Sequence, residues 1–377
     1  MAKGKNYDNK MKRIVRGFPL HICLIAPVPP PKGGIAQWVV LVRRYAKMRN
    51  DIDIDTINTS PSWRAIDDMA IWKRVIGGGV QLVRDYFRFV LMLWKRPDVI
   101  HLTTSGQLAT LRDIAILATS RFIGVPTVYH IHFGRIPEIV LNNTNEWKLL
   151  SLAIRMASAV IAIDPVTSDT IARIFPNVLL KRIPNGIDLN LLPSALPVYH
   201  IKTLIYLGWT IPTKGMAELC QAWSELSLPE WRCLIVGPGS ELYRQELRDL
   251  YHSDNLEFIT EQSHEDAMLL LAGSDVFVLP SYTEGFPNVI IEAMALGKSI
   301  VSTNVGAIPE MLSDGCGVTV PPHDVNALSM ALYNVCSDEE LRLTMGRRAY
   351  YKSHTEYSMD KVIEQLKSFW IEVSEKS

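Results

Sequence analysis

Apolar residues in this chain gather in short unbroken runs separated by longer segments of mixed polarity. In the first half the runs fall at Leu20–Ala26, Val99–Thr103, Val128–Ile131 and Val160–Ile163. Apolar runs of that length bounded by turn residues predict strands buried on both faces, as in a parallel sheet. Ile52–Ile57 alternates instead, with Asp53 and Asp55 on one solvated face of a further strand. Between these runs, 34–48, 67–94, 108–122 and 147–156 carry helical spacing, with Gly77-Gly78-Gly79 a candidate break in the second. The pattern then starts again. Strands are predicted at Thr203–Leu207, Cys233–Val236, Leu256–Ile259, Val276–Leu279, Ser299–Ser302 and Gly317–Val320, with helices between them and two closing helices at Glu339–Lys352 and Ser358–Val373. Strand and helix alternating twice over predict an α/β chain of two doubly wound, Rossmann-like domains. The boundary is Ile183-Pro184-Asn185-Gly186-Ile187-Asp188, a turn with a capping aspartate, followed by Pro193 and Pro197. The expected division is therefore 1–192, 193–353 and a closing helical segment 354–377.

A length of 377 residues suits two such cores. Charge changes the picture. Lysine plus arginine and aspartate plus glutamate balance at 39 each, but residues 1–200 hold 26 and 14 of them, leaving 13 and 25 afterwards. The halves thus carry about +12 and −12. The segment 67–94 concentrates Lys73, Arg74, Arg84 and Arg88 with Trp72, Tyr86, Phe87, Phe89 and Trp94. It reads either as a helix covering the sheet or as one lying on an anionic bilayer; the charge asymmetry favours the bilayer. It does not span one, because Arg84, Asp85 and Arg88 interrupt it. The five cysteines form no Cys-x-x-Cys pair, which fits a reducing compartment and excludes the usual zinc spacings. The first apolar run starts too late for a secretory leader. A cytoplasmic protein, peripheral on the inner face of a membrane and without nucleic acid as partner, is expected.

The densest chemistry lies in Pro280-Ser281-Tyr282-Thr283-Glu284-Gly285-Phe286-Pro287-Asn288-Val289-Ile290-Ile291-Glu292-Ala293-Met294-Ala295. A strand precedes it and a helix closes it. Pro287 suits a helix start, and the free N–H groups near Asn288 with the helix dipole favour an anion or electron-rich sugar oxygens. Glu284 in the loop and Glu292 about one turn into the helix add two carboxylates. Such a set suits a ligand bearing both hydroxyls and phosphates. The plainer reading is a loop glutamate and an exposed helix glutamate, both solvated.

Flanked by Pro-Ser, Glu-Gly-Phe-Pro and Glu-Ala-Met-Ala, this stretch resembles the Glu-x7-Glu signature of retaining glycosyltransferases, in particular glycosyltransferase family 4. Further stretches resemble the same family: Pro184-Asn185-Gly186-Ile187-Asp188, Gly208 to Lys214-Gly215, Val236-Gly237-Pro238-Gly239, and the loop Thr303 to Glu310, where a structural role is expected. The resemblance runs from about Pro27 to Pro322. It implies the GT-B architecture, two Rossmann-like domains facing a cleft, with the last helix returning to the first domain. It also implies a nucleotide diphosphate sugar as donor. Glu292 would accept from the ribose hydroxyls. Glu284, with Gly285, Phe286, Pro287, Asn288 and Val289, would hold the donor sugar. Lys214 would meet the diphosphate as a point charge. Gly33, Gly34, Gly208 and Gly237 would let backbone approach the donor, since they lack a Cβ. In Val128-Tyr129-His130-Ile131-His132, alternation puts both histidines on one face. His132 is the better match to the family's histidine near the transferred sugar; metal binding by the pair lacks a partner cluster.

One departure stands out. Trp209 occupies the place of the family's arginine, which would share the charge developing on the leaving diphosphate. Lys32, beside Gly33, is the nearest basic candidate by motif position. The resemblance implies transfer with retention and without a metal cofactor, the leaving phosphate helping to deprotonate the acceptor hydroxyl. No Asp-x-Asp metal motif sits at a strand end. The acceptor side suggests a lipid-linked saccharide in cell-surface polysaccharide or glycolipid assembly. Two alternatives stay open: a nucleotide-sugar epimerase on the same fold, and a non-catalytic donor-binding homologue.

Overall fold

The computed structural model describes residues 19–30, 33–60, 71–193 and 201–376, with the backbone alone for 71–77. Lys32 and Asp67 lie outside the described residues. Two compact units result, one from residues up to Asn185 together with those from Met359 onward, the other Gly186–Ser358.

The first unit is a parallel six-stranded sheet: β1 (Leu20–Ala26), β2 (Ile52–Asn58), β3 (Val99–Thr104), β4 (Thr127–Ile131), β5 (Ala159–Ala162) and β6 (Leu179–Arg182), in the order β2-β1-β3-β4-β5-β6. One face is covered by the helix Gly34–Lys47 and by Met359–Glu375. From the latter Met359, Val362, Ile363, Leu366, Phe369, Trp370 and Val373 enter the same apolar core as Leu20, Ile22, Leu24 and Trp38. Spacings of three and four residues make that stripe one helix face. The other face is covered by helices Ile71–Met92, Ala109–Ile123 and Asn145–Met156 over Cys23, Ile25, Ile100 and Tyr129.

Three sequence expectations need correction here. The helix Ile71–Met92 runs unbroken through its glycines. Each mid-helix glycine costs about 1 kcal/mol against alanine, and the inward row Gln81, Asp85 and Phe89, all buried, offsets it. The helix Pro165–Ile174 and strand β6 were not predicted. The helix carries a start signal nonetheless, Asp164 accepting from the Thr167 N–H at 2.8 Å with Pro165 in the first position. β6 is a half-exposed edge strand, Leu-Leu-Lys-Arg, with no periodicity to read. Finally, the chain divides at Asn185 and Ser358. A parallel bridge between Ile187 and Ser358, with the Ile187 N–H on the Tyr357 carbonyl at 2.9 Å, keeps 186–192 and 354–358 in the second unit.

The second unit is another parallel sheet, β7 (Lys202–Leu207), β8 (Trp231–Val236), β9 (Leu256–Ile259), β10 (Val276–Leu279), β11 (Ser299–Thr303) and β12 (Val318–Val320). Its order is β12-β11-β10-β7-β8-β9. Winding reverses between β7 and β10, so the loops leaving those two strands lie side by side at the carboxyl edge. That switch point is where open α/β sheets hold their ligands.

Candidate active site

The loop after β7 ends in Lys214-Gly215; the loop after β10 is Pro280–Pro287. They are joined through backbone. The Tyr282 N–H donates to the Thr213 carbonyl at 3.1 Å. Gly215 has φ +69°, and a Cβ there would stand 2.1 Å from the Pro280 carbonyl oxygen. Only glycine allows this approach. It brings the Lys214 Nζ to 2.5 Å from Glu284 Oε1, an ion pair with both side chains largely covered. From the other side Gly306, at φ +58°, lies where a Cβ would be 2.2 Å from the Glu284 carbonyl oxygen, and the Ala307 N–H donates to the Gly285 carbonyl at 2.9 Å. The structural role expected of the 303–310 loop is thus to clamp the turn that carries Glu284.

The helix Asn288–Ala295 follows, with Pro287 as its cap in extended conformation. The Ile290 N–H donates to the Pro287 carbonyl at 3.1 Å, closing the first turn, and the positive end of the helix dipole lies there. Glu292 lies on this helix with its side chain 19 % exposed, and His264 Nε2 is 3.9 Å from Oε1. Burial pushes the Glu292 carboxyl up to about 7. Asn288 and Val289 are half-buried, whereas Phe286 and Pro287 are buried. The Phe286 ring turns inward and meets Tyr357 edge-on at 5.6 Å, so it packs the loop from beneath. Beside the loop, the Tyr282 hydroxyl donates to Glu218, 2.6 Å from Oε1, and its ring lies 3.7 Å from that of His323.

Gly208 and Gly237 lie against each other. The Gly208 N–H donates to the Val236 carbonyl at 3.0 Å, and a Cβ on Gly237 would come within 2.0 Å of the Gly208 carbonyl oxygen. Their lack of side chains lets these two loops touch each other. Beneath them lies Arg244, buried, donating to the Gly237 carbonyl at 2.6 Å and to Glu241 at 3.2 Å. It was not anticipated, because an arginine in a strongly amphipathic helix reads as a solvated face. The Trp209 ring is exposed to solvent, its carbonyl accepting from the Tyr206 hydroxyl at 2.9 Å.

In the first unit Gly33 is exposed at φ 175°, with open space where a Cβ would stand, and Gly34 opens the helix Gly34–Lys47. Nothing among the described residues of this unit demands glycine at 33. His132 follows β4, its N–H on the Thr104 carbonyl at 3.1 Å. It belongs to an aromatic cluster the sequence showed only in part. His130 lies 3.8 Å from it by ring centroids, and Trp38 is 5.0 Å from both, edge-on. His101 on β3 lies 5.2 Å from His130. Burial drives all three imidazoles well below the usual histidine range, His101 and His132 to about 3. They are neutral at physiological pH.

The second unit therefore unites a lysine, two carboxylates and a helix N-terminus at one switch point, groups suited to phosphates and hydroxyls on one ligand. Among the described residues, no three His, Cys, Asp or Glu side chains are grouped to hold a metal ion.

Residues 27–191 match the family model Glycosyltransferase Family 4, and residues 200–352 match Glycosyl transferases group 1. A GDP-mannose-dependent monoacylated alpha-(1-6)-phosphatidylinositol monomannoside mannosyltransferase of Corynebacterium glutamicum is 28 % identical over 209 residues, 49 % of this chain and 54 % of that one. A phosphatidyl-myo-inositol mannosyltransferase of Mycolicibacterium smegmatis is 32 % identical over 182 residues, 46 % and 47 % of the two chains. The chain thus spans about half the length of the curated relatives it matches. Among solved structures, a sucrose-phosphate synthase of Thermosynechococcus elongatus aligns with TM-score 0.75 at 20 % identity, over 94 % of this chain and 99 % of that one. Anabaena HepE in complex with UDP and glucose aligns with TM-score 0.71 at 20 % identity, over 93 % and 99 %. These likenesses carry the GT-B fold.

Proposed function

Most of this chain, residues 27–191 and 200–352, is glycosyltransferase by family, and we propose that it moves a sugar from a nucleotide diphosphate sugar to an acceptor hydroxyl with retention at the anomeric carbon. The observation that carries the reading is the Lys214–Glu284 pair at the switch point, clamped by glycine backbone on both sides, with Glu292 largely covered on the helix that follows. The diphosphate takes Lys214 from Glu284, leaving Glu284 to accept from the donor sugar's hydroxyls. Lys214 and the N-terminus of the helix Asn288–Ala295 stabilise the charge that grows as the diphosphate leaves. Glu292 accepts from the ribose. In the first unit, neutral His132 is read as a contact for a sugar hydroxyl, and the leaving phosphate takes the acceptor's proton. No metal has a part in this scheme.

The test is a thermal-shift panel of nucleotide sugars, starting from UDP-glucose and GDP-mannose, followed by a transfer assay with and without EDTA. At least one donor should stabilise the chain, and transfer should survive chelation. Conversion of the free donor without an acceptor would favour an epimerase instead. Transfer lost in EDTA and restored by magnesium or manganese would end the metal-free reading.

We further propose a lipid-linked acceptor reached from an anionic membrane surface. Among the described residues no helix is long and apolar enough to cross a membrane. On the helix Ile71–Met92 and the turn after it, Val80, Val83, Phe87, Leu91 and Trp94 form one outward apolar row, each more than half exposed. Arg88 and Arg96 are exposed close by. Such a row inserts at the level of the headgroups, deeper than the diffuse basic surface the sequence suggests. The chain should bind phosphatidylglycerol-containing vesicles in a partly salt-sensitive way. Phe87→Ser with Trp94→Ser should abolish the salt-resistant part. Equal binding by that variant would rule the row out.

A further inference from the structure

The aromatic cluster of the first unit contains an ordered run of hydrogen bonds. Trp370 Nε1 lies 2.8 Å from His101 Nδ1, and His101 Nε2 lies 3.1 Å from His130 Nδ1. Trp370, His101 and His130 are all 0 % exposed. An indole N–H can only donate, so His101 Nδ1 must offer its lone pair and the His101 proton must sit on Nε2. That proton can go only to His130 Nδ1, which is then an acceptor in its turn. His130 is left with its proton on Nε2, and this atom is buried with no hydrogen-bond partner among the described residues. His132, whose ring packs on His130, is the member of the cluster that is not fully buried, and its Nε2 also lacks a partner among the described residues.

We infer that Trp370, acting through His101, is a positioning residue that fixes the tautomer and ring orientation of His130 and so holds His132 in place. The inference rests on the reading of His132 as a sugar contact and deepens it. The hydrogen bond on one ring nitrogen decides which nitrogen of a histidine carries the proton. Trp370 sets a direction here that two neutral imidazoles could not set for themselves. Reversed, the ladder would put two N–H groups face to face, the indole against His101, in a space closed to solvent. Trp38, wedged against His101, His130 and His132 at 5.0–5.5 Å, leaves the rings little freedom to turn over. What the cluster presents outward is His132, not fully buried and held in a fixed plane by the ring of His130. A carbohydrate hydroxyl, both donor and acceptor, is the chemistry an imidazole held like His132 recognises.

The test uses the full chain with 15N in its histidine rings and long-range 1H–15N spectra at pH 7.5, with no ligand. The imidazole signals are assigned through single His→Asn variants, or by through-space contacts to Trp38 and Trp370 where a variant fails to fold. In the wild type, His101 and His130 should each show one tautomer, protonated on Nε2. Trp370→Phe, which keeps an aromatic ring and removes the N–H, should populate the second tautomer of both and displace the His132 signals. His130 protonated on Nδ1 in the wild type would overturn the proposal, and that measurement needs no variant. So would a Trp370→Phe protein whose His130 nitrogens are unmoved. In transfer assays with the donor identified above, Trp370→Phe should lower kcat about tenfold, the loss of one placed hydrogen bond, with donor KM unchanged. A failure to find any transfer would leave the tautomer result standing and would count against the transferase reading alone.

Discussion

Replacing Glu292 with glutamine is expected to move stability and donor affinity in opposite directions. In the folded chain burial holds this carboxyl up to about 7, against 4.5 for an ordinary glutamate. Between those values the native state keeps a proton that the unfolded state releases, so stability falls as pH rises through the window. Above it the ionised carboxylate costs roughly 3 kcal/mol, at 1.36 kcal/mol per unit of displacement. Glutamine carries no such charge. The variant should melt several degrees above wild type at pH 8, at about 2–4 °C per kcal/mol, and show no such advantage below pH 4.5. Affinity should go the other way. Hydrogen bonds from ribose hydroxyls to a carboxylate are worth about 1.5–3 kcal/mol each, so the variant should bind its nucleotide roughly 10-fold to 100-fold more weakly. Binding should also draw a proton off the wild type, whose affinity should fall below pH 7 while that of the variant stays flat. Melting curves and calorimetry across pH read both. An unchanged affinity would remove Glu292 from the ribose, and an unchanged melting point at pH 8 would mean its burial is relieved.

Alanine at Gly215 should be among the most damaging single methyl groups in the second unit. A left-handed backbone costs a non-glycine residue about 1–3 kcal/mol, before the collision with the Pro280 carbonyl is counted. The two contributions can be separated. Gly297 has nearly the same conformation, φ +67°, yet a Cβ there would meet nothing nearer than the Gly346 carbonyl oxygen at 3.7 Å. Gly297→Ala should show the backbone cost alone. Gly215→Ala should lose clearly more in melting temperature and should also lose donor binding, because Lys214 and Glu284 are held together by the same seam. Equal losses in the two variants would mean that the loops after β7 and β10 can part without consequence.

How much of this was legible in the sequence depends on how local each signal is. Buried parallel strands are apolar runs, and most predicted strand ends fall within a residue or two of those observed. β6 escaped because an edge strand with Lys181 and Arg182 outward has no such signature. Glu284, Glu292 and Lys214 stood out because each lies within a short motif. Gly306 and Arg244 did not, since what they do depends on which loop the fold lays against them. The bond between Trp370 and His101 joins residues 269 apart in the chain, beyond the reach of any spacing rule. The Trp209 departure was legible at once, and the structure adds that its ring faces water.

The helix Met359–Glu375 has a consequence for the order in which the chain can fold. Domains made on the ribosome usually fold as they emerge, the N-terminal one first. Here the first unit cannot close its core with its own first 185 residues, because Trp370, Phe369 and Leu366 fill the face around Trp38. Residues 186–358 emerge before those side chains do and hold a complete sheet of their own. The second unit is therefore free to fold first, while the half-built first one waits with an apolar face open to whatever binds it, including a chaperone. A chain stopped just short of Met359 should bind its nucleotide normally and still be lost to aggregation.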